Sequence, residues 1–169
     1  MKRAILLTGF NNWGKTTHIY NLFNQRRFNK GYTYRIAGVP ASFTVESHSN
    51  DDWHEDGFIS AVWDRIEKSP KHEKDIFCAF CPTRQKDNDS KRILSRPPFT
   101  SFDEIHLLIL KNKWDFHAEL RTKEIQSYLS TVKNAKFFVI DSDVKHTSDE
   151  TRLKAREQQI ISYLQSIYR

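Results

Sequence analysis

A three-layer α/β fold, with about five mainly parallel strands and helices on both faces, follows from three features of the chain. Short apolar, β-prone runs alternate with longer segments whose apolar residues recur at helical spacing. The first apolar run passes straight into a glycine-bounded polar loop and then into a helix-spaced segment, as in a parallel β-loop-α unit. No repeat and no Pro-, Gly- or Ser-rich linker divides the sequence, so residues 1–169 read as one domain.

Each element has its own signal. Ala4-Ile5-Leu6-Leu7 is a buried first strand, and Ile19, Leu22 and Phe23 mark the first helix. Tyr32 to Ala37 is β-prone, and Phe43-Thr44-Val45 continues it after Pro40. In the next helix Phe58, Ile59, Val62, Trp63 and Ile66 share one face, with Asp51 and Asp52 as N-cap candidates. "DIFCAFCP" is a third strand, stopped by Pro82. The polar, basic stretch from Thr83 to Pro98 reads as a loop or mobile flap with little core. "EIHLLIL" is a fourth strand, Ile125 to Val132 a helix and "AKFFVI" a fifth strand. A last helix covers about Asp149 to Tyr168, with Leu153, Ile160, Leu164 and Ile167 toward the core.

Between the first strand and helix lies Gly9-Phe10-Asn11-Asn12-Trp13-Gly14-Lys15-Thr16. It matches G-x-x-x-x-G-K-S/T, the Walker A loop, at every fixed position and in the strand-loop-helix context that the motif requires. The chain thus resembles the P-loop NTPase superfamily. Successive backbone N–H groups in such a loop surround a polyphosphate, and the helix N-terminus adds its dipole. Gly9 permits the turn out of the strand, and Gly14 lets the backbone approach without a Cβ. Asn11 and Asn12 tolerate left-handed conformations. Lys15 would reach the β- and γ-phosphates, and the Thr16 hydroxyl would hold Mg²⁺. Thr17 extends the contact surface into the helix. Trp13 is unusual beside phosphates; it packs over the nucleotide, against the helix, or outward toward a partner.

Ligands of parallel α/β sheets bind outside the carboxyl ends of the strands. After the fourth strand stands Asn112-Lys113-Trp114-Asp115, which resembles the N-K-x-D element of the G domains of Ras-like and translational GTPases. The resemblance implies guanine recognition by Asp115, a supporting Asn112 and a Lys113 stem over the base. Asp141-Ser142-Asp143 falls where G domains place a further base-contacting loop, which brings Ser142 into the candidate site. The D-x-x-G element of GTPases is missing, because the third strand ends "CAFCPTRQKD".

The chain is also similar to P-loop small-molecule and nucleotide kinases. That resemblance implies an acid after the second strand and a basic lid. Glu46, Asp51 and Asp52 could orient or deprotonate a substrate hydroxyl. Arg84, Lys86, Lys91, Arg92, Arg96 and Arg121 could stabilise a transferring phosphoryl group, with Arg84 the foremost candidate. Asp51 or Asp52 is the expected carboxylate partner of Mg²⁺, and Asp141 after "FFVI" is the other acid with a suitable apolar run before it.

Composition narrows the setting. At 38% hydrophobic and 28% charged residues the chain is a folded globule, not a disordered segment. No apolar run approaches a membrane span. The first strand starts so early that it leaves no room for a secretory leader, and two cysteines make no disulfide framework; a cytoplasmic setting is expected. The net charge of +6 is dispersed, without the basic runs of a nucleic-acid surface, and it suits an anionic ligand. Cys78 and Cys81 lie within one strand on opposite faces, which makes them buried strand residues and not a redox pair. The expected ligands are Mg²⁺ and ATP or GTP, with GTP ahead. The expected function is a slow Mg-dependent NTPase that acts as a switch or regulator, aided by an activating protein. A kinase with a phosphoryl acceptor, or a nucleotide-binding module with little turnover, are the alternatives.

Overall fold

The computed structural model describes residues 1–71, 74–113 and 119–169. In chain order the elements are β1 (Arg3–Thr8), α1 (Lys15–Phe23), β2 (Tyr34–Arg35), β3 (Ser42–Glu46) and α2 (Asn50–Lys68). There follow β4 (Ile76–Phe80), β5 (Arg84–Gln85), β6 (Asn88–Asp89), α3 (Ser90–Leu94), β7 (Glu104–Leu110), α4 (Thr122–Leu129), β8 (Ala135–Ile140) and α5 (Asp149–Ile167). Six strands form one sheet in the order β2-β3-β4-β1-β7-β8.

β1 lies inside this sheet, parallel to β4 on one side and to β7 on the other, with Leu6 opposite both Cys78 and Leu107. A strand covered on both faces can be apolar at every position, and Ala4 to Leu7 are fully buried. Helices cover both faces. Phe77 of β4 meets Phe23 of α1 edge-on, with ring centroids 5.3 Å apart. Phe80, three residues on and therefore on the opposite face, packs on Phe58 of α2 at 6.0 Å.

Two expectations about elements are corrected. The β-prone Tyr32 to Ala37 run yields only two strand residues, and these run antiparallel to β3, with Tyr34 opposite Phe43. Gly38, at φ 79°, and Pro40 turn the chain back on itself there. The Thr83–Pro98 stretch is no loose flap. It folds into the β5–β6 hairpin and α3, with Asn88, Ser90, Ile93 and Leu94 buried. Its polar composition hid this, because buried hydrogen bonds and ion pairs hold it together with the apolar contacts of Ile93 and Leu94. Cys78 and Cys81 are buried free thiols, as expected. Among the described residues no helix is long and apolar enough to cross a membrane.

The strand pairings bring Thr8, Phe80, Leu110 and Ile140 to one edge of the sheet. Everything that follows those residues emerges on that edge.

Candidate functional site

The Gly9–Thr16 segment lies between β1 and α1 at this edge, where the sequence places it. Gly9 N–H donates to Phe80 O at 3.1 Å, tying the loop to β4. Asn12 and Gly14 adopt positive φ, 61° and 87°. Gly14 is required for its left-handed backbone, whereas a Cβ on Gly9 would meet Trp13 Cβ at 3.2 Å. Trp13 itself is buried in the core, edge-on to Phe10, and it also lines the small cavity beside the loop.

α1 begins on Gly14 with no side-chain cap and no acid in its first turn. The N–H groups of that turn have no intrahelical acceptor and face a positive dipole end, an arrangement suited to an anion. The Lys15 Nζ folds back onto the loop, donating to Gly9 O and Phe10 O at 2.8 Å each. Burial lowers the lysine's proton affinity, while Cys81, Asp51 and Asp52 act the other way. The Cys81 thiol is pushed up to about 12 by its own burial.

The acids come from the start of α2, one strand away. Ser49, not Asp51 or Asp52, caps this helix, and Asp52 completes the box by accepting from Ser49 N–H at 2.7 Å. His54 has φ 55° and ψ −177°, which breaks the helix after its first turn and sets Asn50 to Trp53 apart as a separate acidic turn. Asp52 and Ser49 join Thr16 and Lys15 around a cavity of about 180 Å³. Asp51, with Phe10 and Asn11, lines an adjoining cavity of about 540 Å³ that also takes in Arg84, Arg121 and Leu120. A third space, about 450 Å³, opens on the α5 side between Asn12, Gly14, Thr17 and Leu153.

Comparison with protein-family models, with curated proteins and with solved structures finds no match.

The other sequence candidates fall in different places. Glu46 is corrected as a catalytic acid: it is buried, accepts from Arg65 Nε at 3.0 Å and from His48 N–H at 3.0 Å. Arg84 stacks on Tyr128, its guanidinium carbon 3.9 Å from the ring centroid, and donates to Glu124 O. Arg92 and Arg96 bind the buried Glu55 at 2.7 and 2.8 Å, which removes them as lid cations. Ser142 is turned toward α5, its hydroxyl donating to Ala155 O at 2.8 Å and its N–H to Gln159. Asn112, which is buried and bridged to Glu119, and the half-buried Lys113 follow β7; Asp115 lies outside the described residues.

Sequence reasoning missed Asn50. Its buried amide donates to Cys81 O, Thr83 Oγ1 and Asn88 Oδ1 and accepts from Cys81 N–H at 2.8 Å. It thus locks the acidic turn to the end of β4 and to the β5–β6 hairpin. An asparagine in front of two aspartates reads as one more polar cap residue, and only the fold reveals what it joins.

Proposed function

We propose that the chain binds a magnesium nucleoside triphosphate on the Gly9–Thr16 loop and transfers its γ-phosphoryl group to a small hydroxylated acceptor. The Walker A match in its strand-loop-helix setting supports the first half. The observation that carries the second is the 540 Å³ cavity, which the loop residues Phe10 and Asn11 share with the Asp51 carboxylate. It gives an acceptor a place beside the transferring phosphate. A switch GTPase needs instead a group after β4 that senses the γ-phosphate, and here β4 runs into Cys81-Pro82, its main chain held by Asn50.

In this reading Lys15 leaves the two loop carbonyls and pairs with the β- and γ-phosphates, while the first-turn N–H groups of α1 donate to phosphate oxygens. Thr16 and Asp52 are hard oxygen donors on one small cavity, and a site for Mg²⁺ needs only one or two protein oxygens beside the phosphates. They would hold the ion, which would supply neutralisation of the phosphate charge. Asp51 takes the proton of the acceptor hydroxyl. The acceptor oxygen bonds to the γ-phosphorus as the β–γ bridging bond breaks, and the nucleoside diphosphate leaves with the electron pair.

Two variants test the halves separately. Lys15→Ala should weaken a non-hydrolysable triphosphate by at least about tenfold in calorimetry, since each charge-assisted bond lost is worth roughly 1.5–3 kcal/mol. Asp51→Asn should bind the same compound normally yet lose about a hundredfold or more of transfer from a γ-labelled triphosphate to a panel of hydroxylated acceptors. Unchanged affinity in Lys15→Ala, in a folded protein, would remove the whole proposal. Label released only to water, whatever the acceptor, would leave a hydrolase.

A further inference from the structure

Part of the positive charge that is dispersed along the sequence is gathered by the fold at the sheet edge opposite the Gly9–Thr16 loop. β1 starts at that edge with Arg3, roughly 20 Å from Gly9 along the strand. A cavity of about 730 Å³ opens there, and Lys2, Arg3, Arg35, Lys71 and Lys74 line it with a single acid, Asp75. The cations arrive from three segments: the entry to β1, the strand β2 and the connection from α2 to β4. Asp75 is already engaged. One of its oxygens accepts from Arg3 N–H at 2.7 Å and the other from the Tyr168 hydroxyl at 2.7 Å. Burial pushes the Tyr168 phenol up, so no negative charge arises on it.

Arg3 has partners too, since its Nε donates to Glu104 at 2.9 Å and its guanidinium carbon lies 4.7 Å from the Tyr168 ring centroid. The ion pairs of this edge, Arg3 and Lys136 with Glu104, leave Lys2, Arg35, Lys71 and Lys74 without a carboxylate among the described residues. Arg35 Nε donates to the Ser42 hydroxyl at 3.2 Å, and the far end of its guanidinium is open. Like charges around one space repel one another, which costs stability and brings no contact in return. Two other basic clusters of the molecule are built round an acid: Lys30 and Lys68 round Asp64, and Arg92 and Arg96 round Glu55. This one is built round a space.

We infer that this cavity is a binding site for a small molecule carrying two or more adjacent phosphate groups, held by Lys2, Arg35, Lys71 and Lys74. Its volume is that of a small-ligand pocket, which runs to about 300–1,000 Å³. Charges that converge on one space from separate segments suit a compact polyanion, whereas a nucleic-acid strand is tracked by a stripe of cations. The Arg35 fork can take one phosphate bidentately while the lysines act as point charges on its neighbours. The inference does not depend on the triphosphate reading, because this cavity shares no residue with the one beside the loop.

The test uses the full chain with inorganic tripolyphosphate as the probe. Brief acetylation, read lysine by lysine in mass spectrometry, reports which side chains the probe covers. At about 1 mM probe, Lys2, Lys71 and Lys74 should be acetylated at least about threefold more slowly, with one common midpoint, while Lys86 and Lys154 are unaffected. Any change at Lys15 reports the Gly9–Thr16 loop separately, so failure of the triphosphate reading leaves this test standing. Arg35→Ala removes no lysine, and its midpoint should move to about tenfold higher probe concentration. Lys71→Ala with Lys74→Ala should do the same for Lys2, which keeps the test open if the arginine variant does not fold. No protection of the three lysines, or an unmoved midpoint in a folded variant, overturns the inference. Equal protection by sulfate at matched ionic strength also overturns it, because that marks general screening. So does protection by an oligodeoxythymidylate of about twelve nucleotides at lower concentration than tripolyphosphate, which makes the occupant a strand.

Discussion

Asn50 has no exposed surface, and its side chain answers to three different segments. Truncation to alanine leaves Cys81 N–H and Asn88 Oδ1 without their partners in the interior. Each stranded group costs roughly 1–3 kcal/mol, so Asn50→Ala should lower stability by about 2–4 kcal/mol in urea unfolding. The damage should also reach function, because the turn that carries Asp51 and Asp52 is docked through this residue. A loss below about 0.5 kcal/mol would show that water replaces the amide at no cost. Residue by residue, the place of Gly9 to Thr16 between a strand and a helix was legible because the motif fixes type and spacing together. Asn50 and Glu46 were not, since nothing local distinguishes a polar residue buried at a junction from one in solvent. The left-handed backbone of Gly14 was not legible, as only the structure shows which of the two glycines has positive φ.

At the scale of elements, α3 and its hairpin are held by charge. Glu55 titrates below its ordinary value of 4.5, chiefly through the Arg92 hydrogen bond; burial opposes this, and Asp89 N–H and Arg96 add to it. A carboxyl depressed in the folded state contributes stability that is complete above 4.5 and is lost as pH falls through the lower folded value. The stability difference between wild type and Glu55→Gln should therefore be level from neutral pH down to about 5 and close in stronger acid. At neutral pH the variant should also be cut faster by trypsin after Lys91 and Arg92, with or without nucleotide. A difference that ignores pH would mean that packing, not the ion pairs, holds α3. The period of the apolar residues predicted β1, β3, β4, β7, β8 and the long helices, though not the short β2, because hydrophobic burial decides those elements. It failed on the Thr83–Pro98 stretch, where salt bridges and the Asn50–Asn88 contacts decide.

For the whole molecule, the partners of β1 matter most. Ala4 pairs with Ile76 on one side and with Ile105 on the other. A fragment of residues 1–102 keeps the loop and both acids but lacks β7, leaving one edge of an entirely apolar strand open. It should show no cooperative thermal transition by circular dichroism, whereas residues 1–169 should unfold in one step. Cooperative melting of the fragment would mean that the sheet is assembled from independent halves.

The same pairing orders events in time. The Gly9–Thr16 loop is made well before the strand that completes its support, which ends only at Leu110. At about 5–20 residues per second, a ribosome takes roughly 5–20 s to cover that interval. Throughout it the apolar β1 segment is present without its second neighbour, open to chaperones and to other nascent chains. The Gly9–Thr16 segment thus waits, after it is made, for a support that arrives from nearly a hundred residues further along the chain.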